Sequence, residues 1–238
     1  MNIDLHVHTK LSSDGRSSKE KLAKSAAKRG LDAIVLTDHD ACALGAPERH
    51  GNIWLLPGCE CSTKAGHILG LFLDKQPDFN VLRANGLPDA EDTIAMLHKC
   101  GAVTVLAHPY IKKSARPDAP VDCIESANAR VYFKNADANT QASELAASLG
   151  LPQTGGSDAH SAAEVGNAYT IIDAPDCSLP ALRNALLNGQ CRPVPIRDTP
   201  RRLKGYSQFI QAWRSRKAGR IAKGIAYIGY CVLLDIIK

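Results

Sequence analysis

Nine histidine, aspartate and glutamate side chains recur in short motifs along the chain. The first motif places His6 and His8 two residues apart in an apolar segment, residues 3–9, that alternates as a β-strand does. Because alternate side chains of a strand share a face, both imidazoles project to the same side. Neutral imidazole is the commonest protein ligand of divalent metals, so this strand offers half of a metal site.

Similar groups accompany the later predicted strands, which favours one shared site over a chance pair of histidines. The further candidates are Asp14, His39, Glu60, His67, His108, Asp158 and His160. Imidazole and carboxylate without thiolate suit Zn²⁺, Mn²⁺ or Fe²⁺ better than a soft metal. Nine ligands exceed what one tetrahedral or octahedral ion can hold, so the set predicts two or three divalent ions.

Apolar strands that alternate with helices predict a parallel α/β fold around these residues. The predicted strands cover residues 3–9, 33–37, 53–56, 67–73, 102–107, 121–125 and 168–172, and the predicted helices cover residues 18–29, 89–99, 136–149 and 180–187. Most of the polar motifs follow a strand, which is where such folds place their active sites. His67 is an exception, because it begins its strand.

Composition indicates one aliphatic domain with an unusual C-terminal segment. The 238 residues are 45% hydrophobic but only 5% aromatic, and the eight cysteines lack CxxC spacing, which predicts reduced thiols. No basic and then apolar leader precedes the first strand, so we expect a cytoplasmic protein. The formal net charge of +5 is concentrated between residues 192 and 223, where ten basic residues accompany a single acid.

As an ordered series, the motifs resemble those of the PHP (polymerase and histidinol phosphatase) phosphoesterases. The matching segments are residues 6–9, 13–15, 37–40, 58–60, 67, 107–109 and 156–160, within residues 1–195. The resemblance implies an α/β fold of the PHP type, a distorted, TIM-barrel-like (β/α) barrel of seven strands. It further implies a small stand-alone member with a PHP-associated C-terminal segment. Residues 196–238 would then form a basic, amphipathic, helical tail.

The same resemblance assigns the nine side chains to a trinuclear centre. The first ion would be bound by His6, His8, Glu60 and Asp158, the second by bridging Glu60 with His67 and His108, and the third by Asp14, His39 and His160. In such a centre a hydroxide that bridges two ions attacks phosphorus, because the cations lower the pKa of its parent water. The catalytic residues implied are His6, His8, Glu60, Asp158 and His160.

Residues outside the ligand set have two interpretations each. Asn128 and Arg130 are candidates for substrate binding, since a guanidinium pairs with phosphate, but a solvated loop arginine gives the same pattern. Asp38 and Asp40 either orient ligating imidazoles or form turns. The lysines at 112 and 113 either add positive potential or are solvated. The cysteines at 59 and 61 should point away from Glu60 into the core if that segment is extended.

The predicted activity is hydrolysis of a small phosphomonoester or nucleotide-type phosphoester. One alternative is a 5′–3′ exonuclease or phosphodiesterase on short oligonucleotides, and another is an amidohydrolase-like metal hydrolase. The third ligand set favours phosphate over a planar carbonyl. A regulator that uses the barrel only as a scaffold is disfavoured by the complete ligand set.

The tail carries two apolar stripes at helical spacing. They are Leu203, Tyr206, Phe209, Ile210 and Trp213, and then Ile221, Ile225, Ile228, Val232 and Ile236. Three roles fit: a helical pair packed on the barrel, peripheral binding to an anionic membrane surface, or electrostatic steering of nucleic acid. The apolar run 225–237 is too short to cross a membrane. The sequence does not predict an oligomeric state.

Overall fold

A single mixed sheet of ten strands organises the computed structural model, which describes residues 1–111 and 121–237. The strands are β1 (Asn2–Val7), β2 (Ala33–Leu36), β3 (Glu48–His50), β4 (Ile53–Thr63), β5 (Gly66–Leu71), β6 (Val103–Ala107), β7 (Cys123–Asn128), β8 (Gln153–Gly156), β9 (Ala168–Ile172) and β10 (Cys191–Pro195). Their order is β10-β9-β1-β2-β4-β5-β6-β7-β8, with β3 paired to β4. The lysines at 112 and 113 lie outside the described residues.

Seven of these strands curl into a barrel that runs from β1 through β2, β4, β5, β6 and β7 to β8. Ala159, three residues after the end of β8, closes the barrel: its N–H donates to the carbonyl of His6 at 3.2 Å, and its carbonyl accepts the N–H of His8 at 2.8 Å. On the side away from β2, β1 also pairs with β9. The Thr170 hydroxyl of β9 accepts the N–H of Gly155 and donates to its carbonyl, both at 2.8 Å. The predicted α/β barrel of seven strands is confirmed.

One barrel strand runs against the others, and this explains the position of His67. β5 is antiparallel to both β4 and β6, whereas the pairs β1–β2, β2–β4, β6–β7 and β7–β8 are parallel. The first residues of a reversed strand lie at the edge where its parallel neighbours end. His67 therefore pairs with Ala107, next to His108.

The third predicted strand is longer in the structure than in the sequence-based prediction. β4 pairs with β2 through residues 54–57 and then continues, paired with β5, through residues 58–63. Glu60 therefore lies within a strand rather than after one. Because the segment is extended, Cys59 and Cys61 point opposite to Glu60, and both are fully buried in an aliphatic cluster, as predicted.

The helices pack around this sheet and mostly match the predicted ones. They are α1 (Lys19–Lys28), α2 (Phe79–Leu82), α3 (Ala90–Lys99), α4 (Ala138–Leu149), α5 (Leu179–Leu187), α6 (Arg201–Arg214) and α7 (Ala218–Ile236). The left-handed glycine after α4 is Gly150, with φ of 65°, a conformation without steric penalty for glycine. The core is largely aliphatic and all eight cysteines are free, as composition predicts.

The helices and strands that the sequence analysis did not predict are either very short or contain residues that are unfavourable in strands. β3 and α2 are only three and four residues long. β8 contains two consecutive glycines, and β10 contains Pro193 and Pro195, which cannot donate to a ladder. β10 tolerates them because it is an edge strand paired with β9.

The C-terminal segment forms a helical hairpin of α6 and α7. The hairpin begins after the predicted boundary at residue 195, and the division into domains at that boundary stays a prediction. Within residues 1–111 and 121–237, no helix combines the length and apolarity needed to cross a membrane.

Candidate metal centre

All nine predicted ligand residues converge on one cleft at the mouth of the barrel. His6 projects from β1 and His8 directly follows that strand, while Glu60 projects from β4 and His67 from the start of β5. Asp14, His39, His108, Asp158 and His160 lie on the loops that follow strands. Each pair of ring centroids His6–His8, His8–His39, His8–His160 and His67–His108 is separated by 5.2 Å or less. The barrel thus concentrates acidic and imidazole groups in a small volume.

Glu60 lies at the centre of this cluster and is fully buried. Five imidazole nitrogens lie within 3.5 Å of its carboxylate: His67 Nδ1 at 2.6 Å and His108 Nε2 at 3.1 Å from Oε1, and His39 Nδ1 at 2.8 Å, His8 Nε2 at 3.3 Å and His6 Nε2 at 3.5 Å from Oε2. Each oxygen therefore faces its own group of imidazoles. This is the geometry that a carboxylate needs to bridge two ions.

Asp158 completes the group on the β1 side of the cleft. Its Oδ1 lies 3.7 Å from His6 Nε2 and 3.4 Å from His8 Nε2. Its backbone has a φ of 52°, and His108 has a φ of 30°. Left-handed backbone at residues other than glycine costs about 1–3 kcal/mol each and often occurs at functional sites.

Asp14 lies beside two further imidazoles, those of His160 and His39. Its Oδ2 is 3.2 Å from His160 Nε2, and its Oδ1 is 3.8 Å from His39 Nε2. The Nδ1 atom of His160 lies 2.9 Å from the carbonyl oxygen of Asp158 and also contacts Arg130, and Nε2 of the same ring faces Asp14. His39 lies between the Asp14 and Glu60 carboxylates, so the side chains around Asp14 line the same cavity as those around Glu60 and Asp158.

Buried polar atoms without hydrogen-bond partners test whether cations fit here. In the part of the chain that the structure describes, His6 Nε2, His8 Nε2, Asp14 Oδ1 and Glu60 Oε2 are buried and make no hydrogen bond. Such atoms are rare in folded proteins because an unpaired buried polar group is destabilising. All four belong to residues that the sequence analysis assigns to metal ions, so the residues fit a metal centre.

The electrostatics of the cleft are those of tightly coupled acids and imidazoles. Burial lowers the pKa of His39, but the Glu60 and Asp14 carboxylates outweigh burial and raise it to about 9. Burial and the neighbouring rings of His160 and His39 hold the pKa of His8 well below its usual value. Burial alone would raise the pKa of Glu60, yet the surrounding imidazoles keep it well below its ordinary range. Glu60 is therefore charged at neutral pH.

The imidazoles of His6 and His8 are oriented by hydrogen-bonding groups outside the ligand set. The sequence analysis did not identify some of these groups and left Asp38 with two interpretations. His6 Nδ1 lies 3.0 Å from Glu125 Oε1, and the other Glu125 oxygen accepts the N–H of His108 at 3.0 Å. His8 Nδ1 lies 3.0 Å from Ser12 Oγ, which donates to Asp38 at 2.6 Å. Such partners fix the tautomer and direct Nε2 to a metal. The available signal was an acid, Glu125, inside an apolar strand.

The structure separates the two candidate substrate contacts. Arg130 lines the cleft, donates through Nη2 to Ser207 Oγ at 3.1 Å and contacts His160. Asn128 is fully buried, and its amide donates to Glu125 at 3.0 Å, so it positions Glu125 and lies away from the cleft. That placement disfavours the predicted substrate contact by Asn128. Asp40 bonds Ser62 rather than an imidazole.

The first helix of the hairpin forms one wall of the cleft, which the sequence did not predict. Lys204 and Gln208 line the cavity from α6, and Lys204 Nζ donates to the carbonyl of Arg130 at 3.4 Å. Arg214 donates to the carbonyl of Ser12 at 2.7 Å. The cavity has a volume of about 430 Å³. A barrel whose mouth holds buried carboxylates and imidazoles is typical of metal-dependent hydrolases.

Comparison with known proteins identifies the family. Residues 4–114 match the PHP domain model, and residues 136–191 match the PHP-associated model. Uncharacterized protein MJ1587 of Methanocaldococcus jannaschii is 31% identical over 124 residues, which is 46% of this chain and 68% of that protein. The chain belongs to the PHP family.

Two further proteins are similar over shorter shares of their length. A probable phosphatase of Acetivibrio thermocellus is 24% identical over 140 residues, which is 50% of this chain and 55% of that protein. A two-domain protein of Bacteroides vulgatus, described as containing a predicted PHP-like metal-dependent phosphoesterase, shares the fold with a TM-score of 0.60 and 23% identity. That alignment covers 82% of this chain and 64% of the Bacteroides chain.

Proposed function

We propose that this protein hydrolyses a small phosphomonoester or a nucleotide-type phosphoester with the help of three divalent cations. The first cation is bound by His6, His8, Glu60 and Asp158, the second by Glu60, His67 and His108, and the third by Asp14, His39 and His160. The observation that carries the proposal is the set of four buried ligand atoms without hydrogen-bond partners, at the bottom of a cleft with a cationic rim.

The cations, Mn²⁺, Zn²⁺ or Fe²⁺, would supply two things when bound: a lowered pKa for water and positive charge that offsets the phosphoryl oxygens. The side chains make that possible. Glu60 presents one oxygen to each of two imidazole groups and so sets their separation. Glu125 and Ser12 keep Nδ1 of the β1 histidines engaged, so that Nε2 faces the cleft. His160 and Asp158 complete the catalytic group.

In this proposal the substrate phosphate is also bound by two positively charged side chains, Arg130 and Lys204, which line the cleft beside the ligand cluster. Arg130 is held rigidly by Ser207 and by the carbonyl of Asp158, so its planar guanidinium loses little freedom on binding an anion. Lys204 approaches from α6. A phosphoryl group would then contact metal ions on one side and these side chains on the other.

The size and lining of the cleft favour a small organic phosphate. A volume of about 430 Å³ lies at the small end of the range of about 300–1,000 Å³ for ligand sites. Apolar side chains, Leu87 and Ile111 among them, line the cavity together with the cations. A nucleotide fits this combination, because its base is apolar on both faces and its phosphate is anionic. The similarity to a probable phosphatase supports the same class.

The test is a substrate panel on protein reconstituted separately with Mn²⁺, Zn²⁺ and Fe²⁺. The panel holds an aryl phosphate, nucleoside monophosphates and bisphosphates, histidinol phosphate, a short oligonucleotide and an aryl amide. We expect metal-dependent turnover of phosphomonoesters, with KM raised in Arg130→Lys, which removes the planar fork. Turnover of the amide without any phosphoester, or phosphate release that chelation leaves unchanged, would refute the proposal. Cleavage of the oligonucleotide alone would replace the substrate class with a phosphodiester.

A further inference from the structure

The two helices of the C-terminal hairpin pack through small residues. A Cβ atom on Gly205 would lie 3.1 Å from Cys231 Cβ, and one on Gly224 would lie 3.2 Å from Phe209 Cα. These close approaches bring the helices together along one narrow stripe of α7. Only Gly224 and Cys231 of that helix are fully buried, so most of its circumference is left for other contacts.

The side of α7 that faces away from α6 is apolar along its length. At 3.6 residues per turn, one continuous face collects the exposed residues Ala222, Ile225, Ala226, Gly229, Tyr230, Val232, Leu233, Ile236 and Ile237. Ile225 is 58% exposed, Leu233 54% and Ile236 75%. From Ile225 to Ile237 this outer face runs for about 18 Å. A contiguous exposed apolar surface on a helix marks an interaction site.

Charged residues near the outer face have one sign. Arg216, Lys217, Arg220 and Lys223 are exposed at the N-terminal end of α7, and within residues 1–111 and 121–237 none of the four forms an ion pair. The only acid of α7, Asp235, is directed to α6, where it accepts the N–H groups of Arg201 and Arg202 at 2.9 and 3.0 Å. The N-terminal end of α7 is thus cationic where it adjoins the outer face, with Arg220 and Lys223 lining the groove between α7 and α6. The outer face itself is apolar and carries no acid.

We propose that α7 binds the surface of a bilayer that contains anionic phospholipid, lying in the plane of the interface. The aliphatic side chains would enter the boundary of headgroups and acyl chains, and the four cations would lie among the lipid phosphates. Trp213, 61% exposed at the end of α6 beside these cations, adds an aromatic side chain of the kind enriched at membrane interfaces.

The observations favour a lipid surface over the two other kinds of partner. A nucleic acid would satisfy the cations but would leave the aliphatic face in water. A second copy of the chain would cover the aliphatic face but would bring four more cations and no acid on this surface. An anionic bilayer satisfies both the cationic end and the apolar face at once. This inference does not depend on the proposed phosphoesterase activity.

Vesicle co-sedimentation tests the inference with the full chain. The vesicles contain phosphatidylcholine alone, or phosphatidylcholine with about 30% phosphatidylglycerol. We expect several-fold more protein bound to the anionic vesicles, with a loss of binding at high salt. Ile225→Glu and Ile236→Glu should each lower the affinity about tenfold or more, because each replaces a side chain that enters the apolar layer. Lys217→Glu and Arg220→Glu should each lower it about fivefold on anionic vesicles only.

Val81→Glu is the matched control, because Val81 is an exposed aliphatic residue of α2, outside the hairpin. It should bind vesicles as the unaltered chain does, and all variants should keep the unaltered thermal unfolding midpoint. The inference is overturned by equal binding to both kinds of vesicle or to neither, or by isoleucine variants that bind as the control does. It is also overturned if ultracentrifugation finds a dimer that Ile225→Glu separates, or if the same isoleucine variants abolish binding of a short oligonucleotide.

Discussion

The mouth of the barrel and the outer face of α7 are opposite departures from ordinary protein surfaces. At the mouth, histidines and carboxylates such as His8, Glu60 and Asp158 are buried, and several of their polar atoms have no hydrogen-bond partner within the described chain. On α7, side chains such as Ile225 and Ile236 that normally form a core are exposed to solvent. The mouth buries charged and polar groups that water normally solvates. The outer face of α7 exposes aliphatic side chains that are normally removed from water.

The difference teaches which kind of ligand each region requires. Buried donor atoms of fixed direction are stabilised by a small, highly charged ion, and the rigid barrel supplies that direction. An exposed aliphatic face is stabilised by an extended apolar medium and needs little directional precision. Variants at the mouth should therefore have large and strictly positional effects, whereas variants on α7 should have smaller and graded ones.

The largest expected effect is at the ligand cluster. Asp158→Ala or His8→Ala should lower turnover by about 10³-fold or more and lower the bound metal, because each removes a ligand from the first ion. Circular dichroism should show an intact barrel, and metal analysis should accompany the rates. His50→Ala is the control, since that imidazole bonds Glu48 outside the cleft and its loss should change neither readout. Full activity in His8→Ala would contradict the metal assignment.

A second variant tests orientation of a ligand rather than ligation itself. Glu125→Gln should weaken metal binding by about 10–100-fold, because an amide oriented toward His6 no longer holds its Nδ1–H as a carboxylate does. Metal titration followed by calorimetry measures the change. Glu144→Gln, an exposed change on α4, should bind metal normally. Equal affinities in the two variants would remove the positioning role.

Packing of the hairpin depends on one close approach. Gly205→Leu should lower the free energy of unfolding by about 1–3 kcal/mol, because the added atoms overlap Cys231 and Ile228. Gly219→Leu, where the space around the Cβ position is open, should be neutral or stabilising by up to about 1 kcal/mol. Thermal or urea unfolding measures both. If both variants behave alike, α6 and α7 are not packed as described.

The contribution of α6 to substrate binding should be moderate. Lys204→Met should raise KM about tenfold with kcat little changed, since a charge-assisted contact to an anion contributes about 1.5 kcal/mol. Lys28→Met, an exposed lysine of α1, is the matched control and should leave KM unchanged. An unaltered KM in Lys204→Met would mean that the wall formed by α6 does not touch substrate.

The smallest effect concerns pH. Burial lowers the pKa of Lys204 to about 8, and the neighbouring Arg130 and Lys134 charges act in the same direction. An anionic substrate binds the protonated amine, and the protonated fraction falls as pH rises through 8. The value of kcat/KM should therefore decline above pH 8 toward that of Lys204→Met, and the variant should lack this inflection. A decline of equal size in both proteins would assign the inflection to another group.

Much of the cleft could be predicted from sequence because strand geometry is local. The alternation of β1 sets His6 and His8 on one face, and strand ends meet at one edge of a parallel sheet. The role of Glu125 was harder to predict, because it depends on which strands are neighbours around the barrel. The buried position of Asn128 was missed for a different reason: its partner Glu125 lies on the same strand, where a register shift between Glu125 and Ala127 changes which residues share a face.

The tail illustrates the limit of periodicity. Helical spacing predicted α6 and α7, yet the stripe that includes Ile225 and Ile236 points to solvent, while Gly224 and Cys231 form the packed side. A hydrophobic stripe identifies an amphipathic helix but not the medium that it faces. Glycines, which periodicity analysis counts as neutral, determine the contact here because they allow two backbones to approach.

The length of the connector between barrel and hairpin determines which side chains of α6 line the cleft. Ile196 and Arg197 donate their N–H groups to the carbonyl of Asn167, and Thr199 donates to that of Ala129, so the start of α6 is tied to the barrel. Adding one residue after Thr199 would turn the helix by about 100° and move Lys204 and Ser207 off the side that meets Arg130. Unlike most surface connections, this one should tolerate substitution far better than insertion.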